Sequence, residues 1–245
     1  MSDLYTFNQV DQPLPWARDN PNIVSDFSAR VNIITEVEML QPTTILDLGC
    51  GEGYLAHRTS HAWSKFVGLD SSSQMINEAK KRAIKGATFL DIDLTNRVAR
   101  EAVKGKYELI TAIFLFNYFT LNESKTVVQW ALEHLAPRGV MIITHPHPIV
   151  TYSLPTTKTF SWQSSDNYFA TDTWLNGKMA TLDKNELRVG AYHKTFQDLL
   201  SLTPNTVEFT SEFEELGFLT SDNCPHQFLE LVGKPLHVKI KIIKK

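Results

Sequence analysis

The chain has little cysteine, no charge excess and no long apolar run. Each of these shortages excludes a class of protein. Two cysteines in 245 residues, Cys50 and Cys224, make no disulfide framework. The 24 Lys and Arg stand against 27 Asp and Glu, a formal net charge of −3, so there is no electrostatic reason to expect a nucleic-acid partner. No stretch approaches membrane-spanning length, and Met1 to Pro15 is polar without an apolar signal core. A cytoplasmic, reducing setting and no membrane partner are expected. Internal repeats and low-complexity segments are absent. The single basic cluster is Lys239 to Lys245, whose alternating Lys and Ile read as a half-buried strand with a charged outer face. The length suits one large domain, or one domain with an insertion, and gives an ample core.

What the chain does have is Ile45-Leu46-Asp47-Leu48-Gly49-Cys50-Gly51-Glu52-Gly53. An apolar strand runs into three alternate glycines and then a helix. Glycines accept positive φ and let a ligand lie against the backbone, and the following helix offers free N–H groups. The spacing separates the possible ligands. The dinucleotide fingerprint G-x-G-x-x-G is one residue longer, and no Gly-Lys-Ser/Thr follows as a phosphate loop requires. Asp47 adds a carboxylate at the strand end, which favours a ligand carrying an ammonium group over a pyrophosphate. Seventeen residues after Gly53, Lys65-Phe66-Val67-Gly68-Leu69 ends in Asp70, where a carboxylate accepts from two ribose hydroxyls. Ser71, Ser72 and Ser73 are N-caps for a helix through Met75, Ile76, Ala79 and Ala83.

These motifs resemble the class I S-adenosylmethionine-dependent methyltransferases, whose first motif is an acid followed by G-x-G-x-G. The resemblance runs from about Thr44 to Thr144 through five ordered motifs, the third at Ala87 to Leu94 and the fourth at Tyr107 to Tyr118. The fifth is a helix from Thr126 to Leu135, the turn Ala136-Pro137-Arg138-Gly139 and a strand from Val140 to Thr144. It implies a Rossmann-like, seven-stranded, mostly parallel α/β sheet with helices on both faces. The last strand, about Leu236 to Ile243, is antiparallel, and the terminal hairpin lies within Cys224 to Lys245. It implies S-adenosyl-L-methionine as cofactor, with Asp47, Gly49, Cys50, Gly51 and Gly53 forming its loop. Asp70 is on the ribose, with Ser71 and Met75 just beyond it beside the adenine. Asp91 is on the adenine amino group, with Asp93 as a rival, and the Ile92 backbone is on the ring edge. Ile113 and Phe114 stand near the transferable methyl group.

Outside this core, a helix is expected from about Ser25 to Leu40, with Val31, Ile34, Val37 and Leu40 in step. In the resemblance residues 1–40 form a lid and helix over the cofactor, with Tyr5 and Trp16 as lid aromatics. His145 to about Ala191 is an insertion expected to cap the substrate site. It carries Tyr152, Trp162, Tyr168 and Trp174, aromatics with a polar tip that suit a pocket for a small organic molecule. The pieces His145-Pro146-His147-Pro148-Ile149, Asp166-Asn167-Tyr168-Phe169 and His193-Lys194-Thr195 resemble a small-molecule subgroup of the family, with Lys194 where that subgroup has arginine.

Methyl transfer from a sulfonium is an in-line displacement in which alignment and exclusion of water dominate. A base is needed only if the acceptor must lose a proton. His145, His147 and Tyr118 are the candidate catalytic residues, and Trp16, Asn117, Tyr152, Trp162, Tyr168 and His193 the candidate substrate contacts. His145 and His147 have no third ligand at metal-site spacing, so no metal is expected. The expected function is methyl transfer to an O or N atom of a small molecule, by a monomer or homodimer. A tRNA or protein methyltransferase, a catalytically silent cofactor-binding regulator, and a nicotinamide dehydrogenase are the competing readings.

Overall fold

The computed structural model describes residues 20–153, 157–162, 167–183 and 185–245. Helices α1 (Val24–Phe27) and α2 (Ala29–Leu40) precede β1 (Thr44–Leu48), α3 (Tyr54–Arg58), β2 (Lys65–Asp70), α4 (Ser73–Lys81) and β3 (Ala87–Asp91). Then come α5 (Arg97–Arg100), β4 (Tyr107–Ile113), a 3-10 turn (Phe116–Tyr118), α6 (Leu121–Glu133) and β5 (Leu135–Pro146). The remainder is α7 (Pro148–Ser153), β6 (Phe160–Trp162), β7 (Trp174–Ala180), β8 (Glu186–Tyr192), α8 (Phe196–Leu200), β9 (Phe209–Leu216), a second 3-10 turn (His226–Leu231) and β10 (His237–Lys244).

Seven strands form one sheet in the order β3-β2-β1-β4-β5-β10-β9. Strands β1 to β5 are parallel, and β10 runs antiparallel to both its neighbours, β5 and β9. The expected reversed last strand is therefore present. Along β10, Val238, Ile240 and Ile242 alternate into the core while Lys239 and Lys241 turn to Glu36 on α2, which is the period-2 pattern of a sheet with two different faces. One face packs Leu46, Ile110, Met141 and Ile143 under Val127 and Val128 of α6 and Leu199 of α8. The other packs Ile45, Phe66, Leu109 and Ile142 under Ile33 and Val37 of α2, Leu55 of α3 and Ile76 of α4. The order reverses at β1 and β4, which opens a crevice beyond their carboxyl ends.

Four sequence expectations are corrected. The helix before β1 breaks at Ser28, and its buried stripe is Ala29, Ile33 and Val37, an i, i+4 row; Val31 is 46% exposed and Leu40 38%. Helix α6 starts at Leu121, not Thr126, because Thr120 and Glu123 form a reciprocal capping box. The Pro-Gly turn after it is an irregularity within β5, with Arg138 at φ 60°. The terminal hairpin draws its first strand from β9, upstream of Cys224, and residues 217–236 form a long connection.

Strands β6, β7 and β8 make a separate antiparallel sheet from most of the expected insertion. Its inner residues Phe160 and Met179 join Ile23, Val24, Val150, Phe218 and Phe228 in a third apolar cluster. The insertion thus has its own small core, shared with α1 and the 217–236 connection. Among the described residues no helix is long and apolar enough to cross a membrane.

Candidate active site

The loop between β1 and α3 is built as its glycines predict. Gly49, Gly51 and Gly53 have φ of 71°, 54° and 78°, the left-handed region that costs other residues about 1–2 kcal/mol. A Cβ on Gly49 would stand 2.9 Å from Leu115 Cδ1. Gly49 and Cys50 both donate their N–H to the Leu69 carbonyl, at 2.8 and 2.9 Å, which stitches the loop to β2. Asp70, at the end of β2, accepts from Gly51 N–H and Ser72 N–H, both at 2.9 Å. Burial nevertheless raises its pKa, more than these bonds lower it. Ser72 then caps α4 by accepting from Met75 N–H.

A cavity lies over the carboxyl ends of β1 to β4. Ten of the residues expected at the site line it: Gly49, Cys50, Gly51, Asp70, Ser71, Met75, Ile92, Ile113, Phe114 and Tyr118. Asp47 lies behind the loop, almost fully buried, with Thr111 donating to its Oδ1 at 2.7 Å. Burial pushes its pKa up to about 7 against the Thr111 bond and the pull of Arg30. Gly53 lies against Phe89 at the start of α3 rather than on the cavity. Phe114 is held at φ 56° by its N–H, which reaches both the carbonyl and Oγ1 of Thr144, at 3.1 and 3.2 Å. An aromatic residue in this strained conformation marks a position that its neighbours over-determine.

Asp91 does not line the cavity; Asp93 does. Strand β3 is an edge strand, and its alternation buries Phe89 and turns Asp91 outward, where it accepts from Ser73 Oγ. Arg30 and Glu52 also line the cavity, with Leu94, Leu115 and Phe119, and none of these five was singled out from the sequence. Glu52 was legible, lying between two loop glycines. Arg30 was not, since no local spacing brings α2 to the cavity. Its guanidinium stands over the rings of Tyr54 and Phe114, 5.6 and 5.8 Å from their centroids.

On the acceptor side the expectations separate. Tyr118 meets the cavity, and burial pushes its pKa up to about 12, so it keeps its proton at neutral pH. Asn117 is buried, hydrogen-bonds Tyr118, and leaves Oδ1 without a partner among the described residues. His145 lies off the cavity lining, at the end of β5. Its Nδ1 is 2.8 Å from the Pro146 carbonyl and so carries the hydrogen, which leaves Nε2 bare and unpartnered among the described residues. Burial and Lys194 hold it neutral, its pKa lowered to about 3.

The expected base role of His147 is corrected. Its Nδ1 accepts from Ile149 N–H at 3.1 Å at the start of α7, and its Nε2 contacts Glu215 Oε1 at 2.8 Å. Both nitrogens are spent on structure. Tyr152, Trp162, Tyr168 and His193 do not line this cavity either. His193 Nε2 donates to the Tyr168 carbonyl at 2.8 Å, and Tyr168 Oη accepts from Phe196 N–H at 3.0 Å, at the start of α8. Trp162 packs over Gly177 in the small sheet, and Tyr152 meets Tyr168 edge-on at 5.4 Å. The polar tips of Tyr168 and His193 serve the insertion's own packing, while Trp162 Nε1 is buried without a partner among the described residues. Trp16 and Tyr5 lie outside the described residues. Among those residues no three His, Cys, Asp or Glu side chains gather as a metal site.

The fold is a Rossmann-like seven-stranded sheet, and residues 45–139 match the family model described as a methyltransferase domain. The trans-aconitate 2-methyltransferase of Azoarcus sp. (strain BH72) is 28% identical over 117 residues, 47% of this chain and 44% of that protein. The chain spans about half the length of the first curated relatives it matches. Among solved structures, a S-adenosylmethionine-dependent methyltransferase from Clostridium acetobutylicum ATCC 824 aligns at TM-score 0.60 with 15% identity, covering 90% of each chain. The SAM-bound amino pentose methyltransferase CalS10 of Micromonospora echinaspora aligns at TM-score 0.61 with 12% identity, over 89% of this chain and 90% of that one.

Proposed function

We propose that the protein is an S-adenosylmethionine-dependent methyltransferase acting on an O or N atom of a small molecule. The observation that carries this reading is the joining of two left-handed glycines, Gly49 and Gly51, with Asp70 and Phe114, Leu115 and Tyr118 around one cavity. The residues suit the cofactor. The bare backbone of Gly49 and Gly51 admits a flat ligand, and a Cβ on Gly49 would crowd Leu115. Asp70 accepts from the ribose diol, Met75 and Ile92 flank the adenine, and Asp93 replaces Asp91 as the acid beside it. Arg30, which is ion-paired with Asp26 and lines the cavity, is the cation facing the amino-acid carboxylate, and Asp47 balances the ammonium and sulfonium charges through the loop.

When bound, the cofactor supplies an electrophilic methyl group. The protein's part is to hold the acceptor in line and keep water out. Phe114, Leu115 and Phe119 supply an apolar wall, and Tyr118 supplies a phenol donor. His145 has a bare Nε2, but that atom is buried and off the cavity lining, so this reading assigns proton removal to no residue. The activities of relatives, on trans-aconitate and an amino pentose, support a small acceptor without fixing it. The absence of a basic excess speaks against RNA. The test is transfer of a labelled methyl group from S-adenosylmethionine to a small-molecule fraction, with the product identified. Label appearing in tRNA or protein instead would overturn the substrate class, and no transfer to any fraction would favour the silent regulator.

A further inference from the structure

At the base of the β7–β8 hairpin, Asp172 precedes one strand and Lys194 follows the other. Backbone bonds continue the ladder there: Asp172 N–H donates to the His193 carbonyl at 2.9 Å, and His193 N–H to the Thr173 carbonyl at 2.8 Å. Both side chains cross to one segment, residues 116–121 between β4 and α6. Lys194 Nζ donates to the Phe116 carbonyl at 3.0 Å and also to the Phe119 carbonyl. The Asp172 carboxylate accepts from Leu121 N–H, its two oxygens at 2.8 and 3.0 Å, and stands 3.8 Å from Lys194 Nζ. Thr120 already serves Glu123 N–H, so Asp172 takes the first N–H of α6, one of the orphan donors of a helix start.

Neither residue is in a comfortable state. The Lys194 side chain has no exposed surface, and burying an ammonium group carries a desolvation penalty that an apolar side chain would not. Burial lowers its pKa to about 8, against the pull of Asp172, Asp198 and Glu123, so it stays mostly charged at neutral pH. Asp172 holds φ 60°, the left-handed region that Asp enters only singly. What both secure is the place of the segment they grip. That segment carries Tyr118 and Phe119, which line the cavity. We infer that Lys194 and Asp172 are positioning residues: from the insertion they clamp residues 116–121 and so set Tyr118 and Phe119 as the wall that the methyl acceptor meets. The role of that wall rests on the methyltransferase reading of the cavity; the clamp itself does not. Neither residue lines the cavity, and both act through the main chain of the turn. The insertion thereby shapes the cavity without placing a described side chain in its lining.

The test is 13C NMR of the ligand-free protein labelled in its tyrosine rings, with Tyr118→Phe assigning the Tyr118 signal. Lys194→Met removes the donors at similar length, and Asp172→Asn removes the charge while keeping an acceptor for Leu121. Phe160→Leu is the control, since it loosens the insertion's own core and leaves the clamp intact. Urea unfolding sets each shift against the stability lost. The expected result is a Tyr118 signal displaced or split in Lys194→Met, displaced less in Asp172→Asn, and unmoved in Phe160→Leu. A Tyr118 signal at its parent position in Lys194→Met, or displaced as far in Phe160→Leu, would overturn the inference. Should Lys194→Met not fold, Asp172→Asn against Phe160→Leu decides by the same criterion. Failure of S-adenosylhomocysteine to bind the parent in calorimetry would instead sink the cofactor reading, and the clamp, read without ligand, would stand or fall on its own result.

Discussion

The cofactor end of the sheet and the insertion beside it use polar and aromatic residues in opposite ways. Around the β1–α3 loop, polar groups face a cavity and stand partly unspent: Asp70 is held by two backbone N–H groups yet lines open space. In the insertion the same kinds of groups face each other. His193 is spent on a carbonyl, Tyr168 on the start of α8, and His147 on α7 and Glu215. A pocket residue and a packing residue can share composition; what separates them is whether the hydrogen-bonding capacity has been consumed.

Breaking the cofactor end should have the largest effect. Gly49→Ala forces a left-handed φ on a residue with a side chain and drives its Cβ into Leu115. Calorimetry should show a loss of S-adenosylmethionine affinity of roughly 5- to 30-fold as the loop shifts to relieve about 1–2 kcal/mol of strain. Asp47 gives a second effect, in pH. Burial raises its pKa in the fold to about 7, above the ordinary 3.8 of an aspartate, so the ionised form is disfavoured in the fold. The penalty is absent below the unfolded value, grows as pH rises through this window, and is complete above about 7. Asp47→Asn should therefore raise the ligand-free melting temperature at pH 8 and leave it nearly unchanged at pH 4. In the parent at pH 7 the group is about half protonated, so binding of a cationic ligand should release protons, read as buffer-dependent binding enthalpies.

Smaller effects belong to the insertion side. His147→Ala removes an acceptor for the first turn of α7 and a partner of Glu215, which should cost about 1–2 kcal/mol in urea unfolding. Cofactor affinity should stay within about twofold of the parent, and a large loss would return His147 to the site. Tyr152→Ala should do least, since that ring is 37% exposed and makes one edge contact with Tyr168. A change in melting below about 1 kcal/mol is expected. Lost turnover without lost stability in this variant would redraw the comparison and make Tyr152 a substrate contact.

The same contrast explains how much was legible. Gly49, Gly51, Gly53 and Asp70 act through a strand-to-helix turn and fixed spacing along the chain, so their pattern announced them. That β10 is a strand was legible from alternating Lys and Ile, and its reversal followed from the family resemblance. The choice between Asp91 and Asp93 was not, because an edge strand's register depends on its single neighbour, β2. Arg30 reaches the cavity from α2, an element distant in sequence from the glycine loop, and its importance appears only when the sheet is assembled. The insertion aromatics misled because composition and location suited a pocket, while the pairing of Tyr168 with His193 and Phe196 exists only in three dimensions.

The central claim is that the glycine loop and Asp70 hold S-adenosylmethionine. Asp70 is the most direct handle on it, because its carboxylate is expected to make a charge-assisted pair of hydrogen bonds, each worth about 1.5–3 kcal/mol. Titration calorimetry of S-adenosylmethionine and of NAD into the parent and into Asp70→Ala decides the matter. The account predicts single-site binding of S-adenosylmethionine to the parent, a loss of roughly tenfold or more in the variant, and no tight binding of NAD. Equal affinity in parent and variant, or tight NAD binding by the parent, would contradict it.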